Sequence, residues 1–523
     1  MKFSIIFFSI STFLSFNSFG QSKVFKEVSN EIASEMKAIT QDESLVGYLM
    51  FSQLEKANKD SFNYQVTIMD ENLNDIGKVN FREKNLELHM VTFGQDVLCL
   101  TYLKSDIADL KSTSKKEIKN SVNEGKNHVF TQIINLEGKV IYSGSQAVDL
   151  TLKSDISDLK SRKPSSIAGY LKQSINVKNI AGEGFIIFYG DDNKNRLQAI
   201  DNTGKQIWEK TIPEAQGFNM LTTPNTVYLL SKKKGRMDAG GYVVSAFNVK
   251  DGGSTEKYEL KDKKGNELKV LGFTIDPVSG KPVLTGYILN KMRGNNSGTV
   301  RDLSKGPYDG LFTLELLGNK KSDVKEKYTY WTDASKAYDF SPTGMYENKV
   351  YPRFETTLRD YNGNTYFIGS TYTRKVRLGA IIASVVTIPT LVFPIVLLAP
   401  GTHKSQQTDA MVFKQDTSGK LRFYNSLPGE NSGFYPSGNP ISYYDSRGFY
   451  NVTNPDTKSN FLIMNDAQAA LIYNIEKRKV VRRVPHKNGN LSTYIFPAKE
   501  GHIMVMEYNY KAKETRLSIE ALL

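Results

Sequence analysis

Cysteine, tryptophan and histidine are scarce in this sequence of 523 residues. Cys99 is the only cysteine, and there are two tryptophans and five histidines. A single cysteine excludes an internal disulfide and a metal site built from several thiolates. Because Cys99 lies in the alternating run Val97–Tyr102, we predict that it is a buried core thiol and not a reactive one.

The motifs that usually carry catalysis or cofactor binding are also missing. No two histidines are four residues apart, so the sequence predicts no helical pair of metal ligands. It has neither a Gly-x-Ser-x-Gly nucleophile elbow nor a glycine-rich phosphate loop between a strand and a helix. We therefore expect no catalytic residue, no metal site and no cofactor.

The N-terminus does contain a long apolar run. Lys2 precedes the run Phe3–Phe16, and the small residues Ser18 and Gly20 follow it. This pattern is typical of a secretory signal peptide over residues 1–20, cleaved after Gly20. No cysteine follows the run, which argues against a bacterial lipid anchor. We expect an extracytoplasmic protein, located in the periplasm or the cell envelope.

The formal net charge of the chain is +13. Outside the cytoplasm, a basic protein meets anionic glycans, lipopolysaccharide and lipid headgroups more readily than nucleic acid. We therefore expect an anionic glycan or lipid among its partners, and no nucleic acid. The alternative is that the positive charges are spread over the surface and serve solubility.

One three-stranded unit recurs along the chain. Its clearest copy has strand-like runs at Phe185–Tyr189, Leu197–Ile200 and Gln206–Trp208. Between the last two runs, Asp201 can accept hydrogen bonds from backbone N–H groups and Gly204 can supply a positive φ, as a tight hairpin requires. The pattern predicts eight such units, the last of which has only two strands.

The repeat predicts an all-β fold. Each unit has apolar strands that it cannot bury alone, which favours radial stacking of the units. We predict a seven- or eight-bladed β-propeller over residues 21–523, with long loop insertions on one face. Because the last unit lacks a strand, an N-terminal strand at Val24–Val28 is expected to complete the ring. Two packed β-sandwiches are the alternative architecture.

The segment Leu197–Trp208, LQAIDNTGKQIW, resembles the repeat of quinoprotein-like β-propellers. It has an apolar strand, an Asp, a Thr-Gly-Lys turn and a strand that ends in Trp. Other units have Phe81, Tyr142 or Tyr424 in place of the Trp. The resemblance implies the propeller fold. It does not imply quinone chemistry, since that family's enzymes stack the cofactor on a Trp and often on a vicinal cysteine pair. The two tryptophans here, Trp208 and Trp331, are better explained by packing between blades.

A ten-residue segment occurs twice, at 103–112 and 152–161, with nine identities. Each copy has a Ser that can cap a short helix and an Asp in its favoured first turn. The propeller topology would place both copies on one face of the ring. We predict an anion-binding face at four of their lysines: Lys104, Lys111, Lys153 and Lys160. The alternative is two solvated surface helices.

The stretch Leu378–Pro400 has 23 residues and no charge, long enough to cross a bilayer as a helix. It belongs to a predicted insertion at 372–408. A single crossing would divide the sixth repeat unit, so a re-entrant hairpin is favoured. Contact with a membrane or a partner is predicted at Ile388, Leu391, Val392, Phe393 and Ile395. A basic flank suited to an anionic surface is predicted at Arg374, Lys375, Arg377 and Lys404. A protein interface and a plug within the fold are the alternatives.

The sequence therefore predicts a secreted, envelope-associated propeller that binds or scaffolds without catalysis. Its expected partners are a membrane surface, an envelope protein or another copy of itself. The alternative is a propeller enzyme, a hydrolase or lyase, with carboxylates in the central channel. Such an enzyme would have a cluster of inward-facing carboxylates or a metal at the axis, whereas a scaffold would have its distinctive surface on loops.

Overall fold

Short antiparallel strands make up nearly all of the regular structure. The computed structural model describes residues 22–522 except for 27–32, 42–43, 59–60, 85, 106–126, 148–174, 191–193, 214, 234–240, 292–297, 335–339, 377–402 and 444–446. Within these residues, strands that follow each other in the chain pair side by side in groups of four. Each group is one blade of a β-propeller.

The chain begins with β1 (Ser22–Lys26), and the first four blades follow in order. Blades 1 and 2 consist of β2 (Ala33–Gln41), β3 (Ser44–Asn58), β4 (Ser61–Asp70), β5 (Asp75–Glu83), β6 (Leu86–Gly94), β7 (Val97–Ser105), β8 (Asn127–Asn135) and β9 (Val140–Ala147). Blades 3 and 4 consist of β10 (Asn176–Ile180), β11 (Gly184–Gly190), β12 (Lys194–Asp201), β13 (Gln206–Pro213), β14 (Ala215–Thr222), β15 (Thr226–Lys233), β16 (Tyr242–Asn248) and β17 (Ser254–Glu259).

The second half of the ring has the same plan with a few additions. Blades 5 and 6 consist of β18 (Leu268–Ile275), β19 (Pro282–Leu289), β20 (Tyr308–Leu316), β21 (Val324–Tyr330), β22 (Tyr351–Arg359), β23 (Thr365–Val376), β24 (His403–Gln415) and β25 (Leu421–Leu427), with β26 (Tyr435–Pro436) beside β24. Blade 7 consists of β27 (Gly448–Asn454), β28 (Ser459–Asn465), β29 (Ala469–Asn474) and β30 (Lys479–Pro485). The strands β31 (Lys487–Asn488), β32 (Leu491–Pro497), β33 (His502–Asn509) and β34 (Glu514–Ala521) complete the series. Two short helices, α1 (Val300–Leu303) and α2 (Trp331–Ala334), lie in blade 5 connections.

The N-terminal strand completes the last blade, as the sequence predicted. β1 pairs antiparallel with β34, from Ser22 opposite Ser518 to Lys26 opposite Glu514. Blade 8 therefore consists of β32, β33, β34 and β1. The described residues form eight blades, and the last blade takes one strand from the N-terminal part of the chain, just before blade 1.

The hydrophobic core is divided into clusters that lie between neighbouring blades. One such cluster joins Tyr48 and Met69 of blade 1 to Met504 and Leu517 of blade 8, and so closes the ring. The first strands of successive blades also contact each other, and β2 and β6 pair parallel at Thr40 and Thr92. These first strands are the innermost ones. A blade buries its apolar faces only against its neighbours, which is why the fold needs the whole ring.

The tight turn predicted at Asp201 is confirmed. The Asp201 carboxylate accepts hydrogen bonds from the backbone N–H of Thr203 at 2.8 Å and of Lys205 at 3.0 Å. Gly204 has φ +83°, a backbone angle that residues with a side chain rarely adopt. Trp208 is buried between blades 3 and 4, and its Nε1 donates to the Val249 carbonyl at 2.6 Å. Packing between blades therefore accounts for this tryptophan.

The prediction for the only cysteine is also confirmed. Cys99 lies in β7 and is fully buried in the core between blades 2 and 3. Burial raises the pKa of its thiol far above the usual range. The thiol therefore stays protonated and serves as a small core side chain.

The two faces of the ring differ in their connections. Within a blade, the links from first to second strand and from third to fourth strand are mostly short turns, and all leave on one face, which we call the short-turn face. The second-to-third links and the links between blades leave on the other face, the long-loop face. The three longest links, 106–126, 148–175 and 377–402, all start and end there. The predicted loop insertions therefore belong to one face.

Candidate functional site

The hairpin of β23 and β24 in blade 6 is the root of the apolar insertion. The two strands stay paired as far as Val376, which lies opposite His403. The hairpin is longer than the sequence predicted, and it places the two ends of the segment 377–402 side by side on the long-loop face. Whatever the segment contacts, its chain leaves the blade and returns to it at neighbouring points.

Cationic side chains surround these two points. We call this group the basic collar, and it consists of Arg301, Arg374, Lys375, His403 and Lys404. The ring of Phe434 lies among them and is 47% exposed. Lys404 Nζ is 4.2 Å and Lys375 Nζ is 5.4 Å from the centroid of this ring. Both distances are in the range of cation–π contacts, so the collar combines positive charge with an exposed aromatic face.

The collar is assembled from two blades. Arg301 belongs to α1 in the connection between β19 and β20 of blade 5. Arg374 of blade 6 reaches towards that helix, and its Nη1 donates to Ser304 Oγ at 2.7 Å. Burial, together with the charges of Arg374 and Arg301, lowers the pKa of His403. At neutral pH the lasting positive charge of the collar is therefore carried by its arginines and lysines.

The whole predicted contact site lies outside the described residues, as does Arg377 of the predicted basic flank. The contact residues are Ile388, Leu391, Val392, Phe393 and Ile395. Of the predicted basic flank, Arg374, Lys375 and Lys404 are described, and the structure brings all three together. The sequence did not indicate Phe434 or Arg301, which come from other segments. In the part of the chain that the structure describes, no helix is long and apolar enough to cross a bilayer.

The duplicated segment is described only at its beginning. Lys104, near the end of β7, forms an ion pair with Glu83 of blade 1 at 2.7 Å. Lys111, Lys153 and Lys160 lie outside the described residues. Because its charge is already paired, Lys104 is less available to an external anion than the sequence suggested.

A separate cleft of about 580 Å³ lies where blades 7, 8 and 1 meet. Its walls are mostly apolar and include Met36, Leu45, Phe496, Met504 and Met506. The Tyr48 hydroxyl and the Asn451 Oδ1 are buried there and have no hydrogen-bond partner among the described residues. The sequence missed this cleft because the innermost strands β2, β27 and β32 were not among the predicted strands.

Buried carboxylates occur at the interface of blades 5 and 6. Arg359 contacts Asp276 at 2.7 Å and Glu315 at 2.6 Å, and Lys327 contacts Glu315 at 2.8 Å. Burial alone would raise the pKa of both carboxyls, but the hydrogen bonds from Arg359 and Lys327 outweigh it, so both pKa values are lowered. These carboxylates are charged and engaged in holding two blades together. Among the described residues, no three His, Cys, Asp or Glu side chains are grouped so that they could hold a metal ion.

The chain is similar to several solved structures at low sequence identity. The Dos1 propeller matches with a TM-score of 0.44 and 9% identity over 95% of this chain and 94% of that one. The WD40 domain of SCAP from fission yeast matches with a TM-score of 0.39 and 8% identity, over 96% of this chain and 99% of that one. The quinohemoprotein alcohol dehydrogenase ADHIIG from Pseudomonas putida HK5 has a TM-score of 0.38 and 11% identity, over 95% of this chain and 78% of that one.

Comparison by sequence gives one family. No curated protein sequence matches the chain. Residues 1–423 match the profile of a protein family that is described as a family of unknown function, DUF6770. This match extends into β25, the last strand of blade 6, and includes the apolar insertion. The chain is therefore a member of the DUF6770 family.

Proposed function

We propose that this protein is a secreted, envelope-associated scaffold that contacts a membrane surface through the insertion of blade 6. It acts by binding, without catalysis. The observation that carries the proposal is the position of the uncharged segment 378–400 between two paired strand ends that are surrounded by the basic collar.

The hairpin geometry favours a re-entrant insertion over a single crossing. Val376 and His403 are paired across neighbouring strands, so the segment must begin and end at the same side of any surface that it enters. A single membrane span would separate its two ends by the hydrocarbon thickness, about 30 Å. An apolar hairpin that enters one leaflet keeps both of its ends on the same side of the membrane.

The collar has the chemistry that such an insertion needs at its base. Anionic headgroups attract lysine and arginine near the surface, by about 1 kcal/mol for each residue. Lys375 and Lys404 can lay their aliphatic stems along the apolar layer and keep their ammonium groups among the headgroups. The exposed ring of Phe434 lies close to both ammonium groups. Aromatic side chains favour the membrane interface. Apolar insertion and charge thus act on the same surface.

Two further parts of the proposal rest on sequence patterns. The N-terminal pattern of residues 1–20 supports export, which would place the collar next to an envelope membrane. The segment Leu197–Trp208 supports a repeat of the quinoprotein-like type. The sequence of the duplicated segment predicts a further cluster of lysines, which would add to the attraction of an anionic glycan or lipid.

The test is to delete Leu378–Pro400 and close the hairpin with Gly-Ser. Loop closure depends weakly on length, so the variant should keep the melting temperature of the parent within a few degrees. In flotation with vesicles that contain anionic phospholipid, the parent should float with the vesicles and the variant should remain at the bottom. Vesicles of neutral lipid alone should bind the parent less well.

Three outcomes would contradict the proposal. If the deletion variant unfolds, the segment is a plug within the fold. If it stays folded and still floats with anionic vesicles, another surface makes the contact. A parent that self-associates in solution and ignores vesicles would instead identify the insertion as a protein interface.

A further inference from the structure

A second basic region lies at the opposite end of β24, on the short-turn face. It is a pocket of about 180 Å³ between the outer strands of blades 6 and 7, which we call the basic pocket. Its main lining residues are Lys414, Lys420, Arg422, Phe423, Tyr424 and Arg478. Lys404 in the collar and Lys414 in the pocket are ten positions apart on one strand, about 33 Å at the rise of a β-strand. The pocket is therefore independent of the proposed membrane contact.

The turn between β24 and β25 supplies one side of the pocket. Asp416 also lines it, but its Oδ1 accepts hydrogen bonds from the backbone N–H of Ser418 at 3.0 Å and of Lys420 at 2.9 Å. Burial would raise the pKa of Asp416, but a hydrogen bond from the Ser418 hydroxyl at 2.6 Å and these two backbone hydrogen bonds lower it overall. The carboxylate is therefore charged and serves the turn. Its other oxygen lies 3.6 Å from Arg422, a loose ion pair.

Blade 7 supplies the other side. Arg478 lies in a turn without glycine and itself adopts φ +51°, which is uncommon for a residue with a side chain. Its guanidinium carbon is 4.3 Å from the centroid of the Tyr424 ring. The Tyr424 hydroxyl donates to the Ile475 carbonyl at 2.8 Å and so fixes the ring between the blades. Lys414 Nζ approaches the same ring at 6.0 Å.

A turn of the same sequence type shows that the fold does not require this accumulation of charge. In blade 3, the turn from Asp201 to Lys205 has the same backbone hydrogen bonds as the turn from Asp416 to Lys420. There the uncharged residues Ala199 and Ile207 stand two positions before and two positions after the turn, where the basic pocket has Lys414 and Arg422. In the basic pocket, four cationic side chains and one carboxylate line the same small space. The pocket therefore has an excess of positive charge, which suits an anion.

We propose that the basic pocket binds a phosphate monoester group. A guanidinium matches a phosphate through two parallel hydrogen bonds, and ammonium groups add point charges. The pocket volume equals that of about six water molecules in liquid water. This is enough space for a phosphate group and the first atoms of the molecule to which it is attached. Phe423 at the rim is 43% exposed and offers an apolar face to the ring of a sugar. The ligand class is thus a phosphorylated carbohydrate, with inorganic phosphate as the free form of the same group.

The test is calorimetric titration of the full-length protein at low salt, about 0.05 M, where screening is weak. The probes are inorganic phosphate, glucose 6-phosphate and unphosphorylated glucose. Replacing Lys414, Arg422 and Arg478 together by Gln should weaken phosphate binding by roughly tenfold or more. The matched control Lys205→Gln, in the equivalent turn of blade 3, should leave binding unchanged within roughly twofold. The single variant Arg422→Gln keeps the contact between Arg478 and Tyr424, so it separates lost binding from a disturbed blade interface.

The outcomes distinguish the alternatives. Saturable phosphate binding that the triple variant loses and Lys205→Gln keeps supports the site. Equal affinity of the parent and the triple variant, or no saturable binding by the parent, overturns it. Tighter binding of glucose 6-phosphate than of inorganic phosphate supports the carbohydrate ester, and equal affinities overturn that part in favour of free phosphate. Binding of glucose alone would contradict the role of the oxyanion.

Discussion

Two arginines join blades 6 and 7 at opposite faces of the ring, and their surroundings differ. Arg447 is fully buried on the long-loop side. It contacts Asp466 at 3.3 Å and donates to the backbone carbonyls of Thr408 and Glu430. Arg478, on the short-turn side, is exposed and rests on the ring of Tyr424. The buried arginine has its hydrogen-bonding capacity used by the protein, whereas the exposed one keeps donors available for a ligand.

The same contrast holds for the two ends of β24. At the collar, Lys375 and Lys404 face an exposed aromatic ring next to an uncharged insertion, a combination suited to a lipid surface. At the basic pocket, lysines and arginines converge on a small space, a combination suited to a single oxyanion. Positive charge alone does not define a site. The groups beside it decide which kind of anion it can hold.

Replacing the buried arginine should have the largest effect. We expect Arg447→Met to lower the free energy of unfolding by about 3–5 kcal/mol, because it removes the positive charge that is paired with the buried Asp466 carboxylate. Urea denaturation followed by tryptophan fluorescence measures this loss. A loss below about 1 kcal/mol, as for an exposed pair, would mean that the two arginines have equivalent roles.

The double variant Lys375→Gln with Lys404→Gln tests the proposed contact between the collar and a lipid surface. Removing two charges should weaken binding to anionic vesicles by about 2 kcal/mol, or roughly 30-fold. The pocket variant Lys414→Gln with Arg422→Gln removes the same charge from the opposite face and should retain vesicle affinity. If both variants lose affinity equally, net charge governs binding and the collar has no special position.

Acid pH should weaken the interface of blades 5 and 6. Because folding lowers the pKa of Asp276 and Glu315, their stabilising contribution is complete above their unfolded pKa values, about 4, and is lost as the pH falls through the folded values. The free energy of unfolding should therefore decrease as the pH falls below about 4. Arg359→Met should be less stable at pH 7 and should show a flatter profile. An unchanged profile would exclude Arg359 as the cause of the lowered pKa values.

The smallest effect is expected at the exposed arginine. Arg478→Gln should lower the free energy of unfolding by no more than about 1 kcal/mol, since it removes a cation–π contact that water already screens. Thermal unfolding of this variant beside Arg447→Met gives the comparison directly. A loss as large as that of Arg447→Met would show that Arg478 holds the blades together, and the basic pocket would then be a structural feature.

Local patterns in the sequence determined most of the blade architecture. Alternating strands and turns such as Asp201–Lys205 predicted the second, third and fourth strands, because side-chain periodicity and turn hydrogen bonds are short-range effects. The missing last strand predicted the closure by the N-terminus, which β1 confirms. The burial of Cys99 followed from the same alternation.

Only the tertiary structure decided the innermost strands and the sites. The local pattern of β2, ASEMKAITQ, is compatible with either a strand or a helix. It is a strand because β3 and its neighbours in the ring supply its hydrogen-bonding partners. Phe434 and Arg301 lie at the collar although they are distant in sequence from its other residues. In the same way, Arg478 and Lys414 are far apart in sequence but line the same pocket. Such groupings depend on how blades dock against each other. Docking is set by the burial of apolar faces between blades, which no local run of residues specifies.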